Sequence, residues 1–267
     1  MSRNLPLQTP DTPAPRIPAR ELPGATGRWA RLALIALLMA IGLAIAQSVR
    51  MGISGSKVAR AQAEVDLASG GRRAPTTAEV MAVADRAQTY FAEGLTYEPD
   101  NPWALEGLGL LELQRMRLVR TPGEAVAHAR NALRRFRDGL RQRPTSPFLW
   151  ANLALAKLYL DEIDSEFITA LSHADQLGPW EPSTQQVVLF AGLAAWQHLD
   201  PGLKRSMGAV LERGGLRNSV KMFEIVKGYR RFDLVCPLRS YHLLAAAECR
   251  KLTEAAVTHE LRDRGMR

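Results

Sequence analysis

The chain has 267 residues, 46% of them hydrophobic and 23% charged, so it can bury a sizeable core and is not disordered throughout. Its net charge of +8 suits nucleic-acid binding, but acids are interleaved with the basic residues and no basic stripe with stacking aromatics is visible. We therefore expect no nucleic-acid partner. Ala, Leu and Arg recur while Val-Ile-Thr runs are scarce, which predicts an all-α fold.

Residues 1–28 carry six prolines and few large apolar side chains, a composition that predicts a disordered N-terminal tail. The next segment, 29–49, contains 18 consecutive uncharged residues that are long enough, as a helix, to cross about 30 Å of hydrocarbon. We predict a single transmembrane helix here. A cleaved signal peptide is the alternative, because Ala44-Ile45-Ala46 fits a small-x-small cleavage site. The roughly 31 residues before the apolar core favour an uncleaved anchor.

The orientation of this helix is predicted from the basic residues that flank it. The N-terminal flank of the apolar core holds Arg16, Arg20, Arg28 and Arg31. On the other side Arg50, Lys57 and Arg60 follow the core. Because positive charge is retained on the cytoplasmic side, the count favours a cytoplasmic N-terminus and places everything after residue 50 outside the cytoplasm.

Glycines and one proline between residues 50 and 76 predict a juxtamembrane linker with one short helix at 57–68. From residue 77 onward the apolar spacing is helical almost to the end of the chain. The predicted helices are 78–97, 102–117, 123–142, 147–160, 163–177, 183–198, 202–213, 216–229, 238–250 and 252–264.

An internal repeat links several of these helices. A shift of 45 residues matches two copies of one pattern: Ala87, Phe91, Gly94, Leu95, Pro99, Pro102, Trp103 and Leu108 align with Ala132, Phe136, Gly139, Leu140, Pro144, Pro147, Phe148 and Leu153. The proline pair returns a third time as Pro179 and Pro182. Since each pair lies between two helical patterns, the first proline is predicted to end one helix and the second to begin the next.

The order Ala-x3-Phe-x2-Gly-Leu-x3-Pro resembles the second helix of a tetratricopeptide repeat. This resemblance covers residues 77–199, with a looser third copy, and implies a helical-repeat solenoid followed by a C-terminal helical extension at 200–267. The inner surface of such a solenoid binds peptides or helices. We expect the partner-binding side chains on the first helices of the repeats, at Trp103, Glu106, Phe148 and Asn152.

Three further segments, "QLGPWEPSTQQ" (176–186), "GLAAWQHLDP" (192–201) and "RRFDLVCPL" (230–238), resemble the VpsP-like family. These are bacterial single-span proteins with tetratricopeptide-like helices that are associated with exopolysaccharide biosynthesis. The resemblance implies a bacterial inner-membrane protein of a system that produces or exports a surface polysaccharide. Together with the predicted orientation and the solenoid, it leads us to expect a periplasmic C-terminal domain that holds a protein partner of this system. It implies no catalytic residue.

No catalytic or cofactor motif accompanies the repeats. The five histidines form no H-E-x-x-H motif, and His198 with Asp200 reads as a helix end. The carboxylates of "DEIDSE" (161–166) lack calcium-loop spacing, so we predict no metal, no cofactor and no enzymatic activity. A polysaccharide-binding module is the alternative function, with sugar stacking on the exposed aromatics among Trp103, Trp150, Trp180 and Trp196.

Cys236 and Cys249 are the two cysteines of the chain. The residues between them read as a helix from 238 to 250, whose ends would lie about 15–18 Å apart. A disulfide requires Cα atoms within about 7 Å, so the pattern favours two packed or free thiols and leaves a bridge as the alternative.

Overall fold

The computed structural model of the chain describes residues 26–69 and 75–263, with side chains described for 27–67 and 75–254. The tail predicted at residues 1–28 thus lies almost wholly outside the described residues. Two compact units divide the chain after Val49. The described residues form α-helices, 3-10 helices and no strand, which confirms the all-α class. The α-helices are α1 Thr26–Ser69, α2 Thr77–Tyr97, α3 Pro102–Met116, α4 Pro122–Gln142, α5 Pro147–Tyr159, α6 Ser165–Leu177, α7 Pro182–Ala194, α8 Pro201–Gly215, α9 Ser219–Gly228 and α10 His242–Asp263.

The first unit contains the N-terminal part of α1. Its apolar side chains between Trp29 and Val49 are exposed. By length and composition this helix is able to cross a membrane.

The short helix predicted at 57–68 within the linker is confirmed, but it is not separate, because residues 50–56 are helical too and α1 runs unbroken as far as Ser69. Val58 and Ala61 of α1 are buried against α2 in a small core that includes Phe91. Ser54 accepts a hydrogen bond of 3.1 Å from the buried Asn101. A helical glycine costs about 1 kcal/mol relative to alanine, and the burial of this face offsets the cost of the glycines that suggested a linker.

The proline pairs mark the joints between helices, as the sequence predicted. Pro102, Pro147 and Pro182 each begin a helix, where a missing N–H group costs nothing. The helix before each joint ends two residues ahead of the first proline of the pair, and its capping N–H bonds back to a small residue, namely Gly94, Gly139 or Ala174.

Close contacts between a small residue on one helix and a large side chain on the next hold the stack together. A Cβ atom on Gly109 of α3 would lie 2.4 Å from the Phe136 ring of α4, and one on Gly192 of α7 would lie 2.3 Å from Met207 of α8. Consecutive helices from α2 to α9 pack on each other, and α3, α5, α7 and α9 also contact one another in series. We call the surface formed by α3, α5, α7, α9 and the C-terminal part of α1 (50–69) the odd-helix face.

The main hydrophobic core continues from Leu113 to Ala245. It does not stop at residue 200, where the sequence placed the start of a separate C-terminal extension. Leu203, Met207 and Leu211 of α8 belong to the same core as the repeats. The helices predicted at 238–250 and 252–264 are one helix, α10, which follows the 3-10 helix Arg239–Tyr241.

The expectation of two packed or free thiols is wrong, since Cys236 and Cys249 form a disulfide with a Cα–Cα distance of 5.6 Å. The predicted helix was placed four residues too early. Between Cys236 and the start of α10 at His242 the chain turns back through the 3-10 helix, which brings Cys236 beside the second turn of α10. Tyr241 anchors this turn, because it is fully buried and donates a hydrogen bond of 2.8 Å to the Leu211 carbonyl.

We expect Gly109→Ala to lower the free energy of unfolding by about 2 kcal/mol, because the added methyl group overlaps the buried Phe136 ring. Gly208→Ala is the matched control, as its Cβ position has no atom within 4 Å. The control should leave the protein unchanged or stabilise it by up to about 1 kcal/mol. Urea unfolding of both variants measures the difference, and equal stability would contradict the packing described.

Candidate functional site

A groove of about 450 Å³ opens on the odd-helix face, between α1, α3 and the start of α5. We call it the α3 groove, since α3 supplies the most lining residues. Its lining consists of Gln62, Val65, Asp66, Phe91, Trp103, Glu106, Gly107, Leu110, Leu111, Gln114, Arg143 and Phe148.

The floor of the α3 groove is apolar. Phe91 and Leu111 are 2% and 3% exposed, and both belong to the small core between α1, α2 and α3. The backbone of Gly107 lies so close to the Phe91 ring that a Cβ atom on this residue would be 2.2 Å from the Phe91 Cζ atom. Leu110, at the edge of this floor, is 43% exposed. The groove therefore offers a water-accessible apolar side chain above a packed base.

One wall is formed by a layer of three side chains. Trp103 is 49% exposed, and the Arg143 guanidinium lies 4.4 Å from the centre of its ring. The same guanidinium lies 3.9 Å from the Glu106 carboxylate. A cation over an aromatic face is favourable, so Arg143 holds the indole in place without covering both of its faces.

The Glu106 carboxylate is the most buried charge of the α3 groove, with 16% of its side chain exposed. Burial raises the pKa of this carboxyl, and the nearby Arg143 charge opposes the rise only in part. Among the described residues no donor lies within hydrogen-bond distance of it. Its negative charge is therefore poorly compensated by the chain itself.

Three of the four side chains predicted from the sequence to bind a partner lie together here, namely Trp103, Glu106 and Phe148. The fourth, Asn152, is 8% exposed within α5 and does not line the groove. The sequence also missed Leu110 and the α1 residues. Leu110 could have been found, since it follows Trp103 by two helical turns on one face of α3. The α1 residues lie in the helix predicted at 57–68, but the spacing of its residues does not indicate that this helix packs beside α3.

A second groove of about 390 Å³ lies further along the odd-helix face, over α5, α7 and α9. Its walls include Tyr159, Val187 and Phe190, and the Phe190 ring meets Tyr229 edge-on at 5.8 Å. The apolar concavities thus recur along the face, which favours binding of an extended partner over a small ligand.

The four tryptophans considered for sugar stacking differ in their surroundings. Trp103 and Trp180 are about half exposed. Trp150 donates a hydrogen bond of 2.7 Å to the Pro144 carbonyl and packs edge-on against His173. Trp196 carries the Arg231 guanidinium 4.0 Å from its ring centre. Trp103 and Trp180 therefore expose the most ring surface to a ligand, with one face of Trp103 occupied by the Arg143 guanidinium.

The acidic cluster at 161–166 surrounds a lysine. The Lys157 ammonium is 1% exposed and bonds to the carboxylates of Glu162, Asp164 and Glu166 at 3.3, 2.9 and 2.8 Å. Arg137 adds two hydrogen bonds to Glu166, and these lower the pKa of Glu166 to about 2. The described residues include no group of carboxylates, histidines and cysteines that is arranged to hold a metal.

No family model, no curated protein and no solved structure matches this chain. Its function must therefore be inferred from its own residues and their geometry. The pair His198 and Asp200 lies between two helices, and Asp200 caps α8 by accepting a hydrogen bond of 2.9 Å from the Leu203 N–H.

We expect the stability of the protein to fall on acidification as Glu166 becomes protonated. Its pKa is about 2 in the folded chain against 4.5 ordinarily, so its contribution is complete above pH 4.5 and is lost as the pH falls toward 2. Glu166→Gln should flatten this part of the pH profile of the unfolding free energy. Glu248→Gln is the control, since its exposed pair with Lys251 links adjacent helical turns. Parallel profiles for both variants and the parent would contradict the assignment.

Proposed function

We propose that this protein is a membrane-anchored, non-enzymatic helical-repeat scaffold that holds a protein partner on its odd-helix face. The partner belongs to a bacterial assembly that makes or exports a surface polysaccharide. The observation that carries the proposal is the α3 groove, in which an exposed apolar side chain and polar side chains that form no hydrogen bond with the described residues surround a packed floor.

The packing of the helices supports a tetratricopeptide-like array. The joints repeat the same proline positions and the same backbone hydrogen bond, from Asn101 to Glu98, from Ser146 to Arg143 and from Glu181 to Gly178, at 3.1, 3.1 and 3.2 Å. In such arrays each helix pair buries its apolar face only against its neighbours, and the open surface serves for binding. The C-terminal part of α1 acts as the first helix of the first pair.

The membrane anchor is the N-terminal part of α1, with its N-terminus in the cytoplasm and the second unit in the periplasm. The flanking arginines favour this orientation. The disulfide between Cys236 and Cys249 adds independent support, because disulfides form and persist outside the reducing cytoplasm.

The link to surface polysaccharide rests on the resemblance of three segments to the VpsP-like family. Two of them form joints: residues 176–186 span the turn from α6 to α7, and residues 192–201 carry α7 into α8. The third, residues 230–238, contains the 3-10 helix Phe232–Leu234 and Cys236 of the disulfide. The segments thus shape the C-terminal half of the stack and contain no catalytic constellation.

A polysaccharide-binding module is the second candidate. The exposure of Trp103 and Trp180, at 49% and 52%, favours it, since an open aromatic face can stack on a sugar ring. The floor of the α3 groove favours the protein partner instead. Sugar hydroxyls that are taken out of water need hydrogen-bond partners, and Phe91, Gly107 and Leu111 supply none from their side chains.

Leu110→Arg should abolish partner binding, because a charged side chain would replace the exposed apolar one at the groove floor. A photoreactive amino acid that replaces Gln114 in the groove lining measures the contact with the partner by crosslinking in living cells. Leu243→Arg is the matched control, as Leu243 is 99% exposed on α10 and lies outside the groove. We expect the control to keep both the crosslinked protein and normal surface polysaccharide.

If the parent chain crosslinks no protein and its deletion leaves surface polysaccharide unchanged, the scaffold proposal fails. If affinity electrophoresis shows that polysaccharide retards the chain and that Trp103→Ala abolishes this, the second candidate replaces it.

The proposed topology predicts that both cysteines are oxidised in the cell. Denatured protein prepared without reductant should not react with a maleimide reagent, and two thiols should react after reduction. Alkaline phosphatase fused at the C-terminus should be active, since it too needs an oxidising compartment. Two reactive thiols without reduction, together with an inactive fusion, would place the second unit in the cytoplasm.

A further inference from the structure

The α3 groove is acidic although the chain as a whole is basic. Its charged lining residues are Asp66, Glu106 and Arg143, which give a formal charge of −1 against +8 for the whole chain. Arg143 and Glu106 face each other at 3.9 Å, longer than a hydrogen bond, and Asp66 forms no ion pair with the described residues. An incoming cation would therefore meet two carboxylates and compete with one guanidinium.

Glu106 is the residue whose charge most needs a further partner. Its side chain is 84% removed from water, yet its carboxylate accepts no hydrogen bond within the described chain. A buried charge without hydrogen bonds is costly, and a donor that is brought by a ligand removes that cost on binding. The cavity beside it provides the access that such a ligand needs.

Apolar and amide groups complete the chemistry of the α3 groove. Leu110 and Trp103 expose apolar surface to a large side chain, and Phe91 and Leu111 close the base. Gln62 of α1 and Gln114 of α3 line the groove without a side-chain hydrogen bond inside the described chain. Side-chain amides can donate to and accept from the backbone of an extended peptide.

We infer that the α3 groove binds a peptide segment of the partner that carries a large apolar side chain next to a lysine or arginine. The apolar side chain packs on Leu110 and Trp103, and the cation pairs with Glu106, with Asp66 as the second carboxylate. This inference rests on the proposed scaffold function and adds the chemical class of the segment that the scaffold holds.

Acidification should weaken such binding. Since burial raises the pKa of Glu106, this carboxyl takes up a proton at a higher pH than an ordinary glutamate, and the neutral form no longer attracts a cation. Arg143 and Asp66 are the other charged groups that line the groove, and Arg143 is the nearer, at 3.9 Å. Glu106→Gln should remove this part of the pH dependence.

The test uses the full chain in nanodiscs and selects from a random heptapeptide library displayed on phage. We expect enriched peptides to combine a large apolar residue with a lysine or arginine. A fluorescein-labelled copy of one such peptide is then titrated against the parent chain, and against Glu106→Gln, Asp66→Asn and the control Glu181→Gln. Glu181 is exposed, makes no side-chain cap and lies outside the groove.

Glu106→Gln should lower the affinity for the labelled peptide by about 10- to 100-fold, the range of a hydrogen bond to a charged group. Asp66→Asn should lower the affinity by less, because Asp66 is exposed. Glu181→Gln should bind as the parent does. Exchange of the lysine or arginine in the peptide for glutamine should cause a similar loss with the parent chain and little further loss with Glu106→Gln.

The outcomes separate this inference from the function on which it rests. Suppose that peptides are enriched and that they do not bind the Leu110→Arg variant. If these peptides carry no basic residue, or if they bind the Glu106→Gln variant as tightly as the parent, the cation inference is overturned and the scaffold proposal stands. If no enriched peptide depends on Leu110 or Trp103, the groove is not a peptide site and both fall. Circular dichroism of each variant shows that the helical fold is kept.

Discussion

Every helix pair in the second unit has an apolar face that it cannot cover by itself, and the stacking that covers this face determines the rest of the structure. Stacking at helix distance requires a small residue opposite each large one, as Gly109 lies opposite Phe136 and Gly192 opposite Met207. The proline joints keep the turns short, so that consecutive helices meet at once. The main core then continues from one pair to the next from Leu113 to Ala245, while the first pair packs with α3 in the separate small core.

The same constraint produces the α3 groove. At the N-terminal end of the array α2 needs a neighbour on its free side, and the C-terminal part of α1 supplies it through Val58 and Ala61. Because Gly107 has no side chain, the Phe91 ring packs close against α3, and a recess remains between α1, α3 and α5. The groove is thus a consequence of completing the first pair, and its exposed side chains are those that stacking leaves uncovered.

Further along the array the chain uses specific polar and covalent links. Lys157 and Arg137 gather the carboxylates at the start of α6, so acids that resemble a cation site neutralise the buried Lys157 and the partly exposed Arg137. Tyr241 holds the 3-10 helix before α10 against α8, and the Cys236–Cys249 bridge holds α10 against the segment that precedes this 3-10 helix. The first cluster ties α4, α5 and α6 together, and Tyr241 is bonded to a residue 30 positions earlier in the chain.

The sequence by itself determined the helices from residue 77 to 229 and their joints, because helical periodicity and proline positions are local properties. It also indicated Trp103, Glu106 and Phe148, since a repeat copies the same face from one unit to the next. Only the tertiary structure decided that α1 continues unbroken to residue 69 and packs on α2, that the cysteines are bridged and that Asn152 is buried. These depend on which distant surface covers a segment, and the spacing of residues along a chain carries no record of that neighbour.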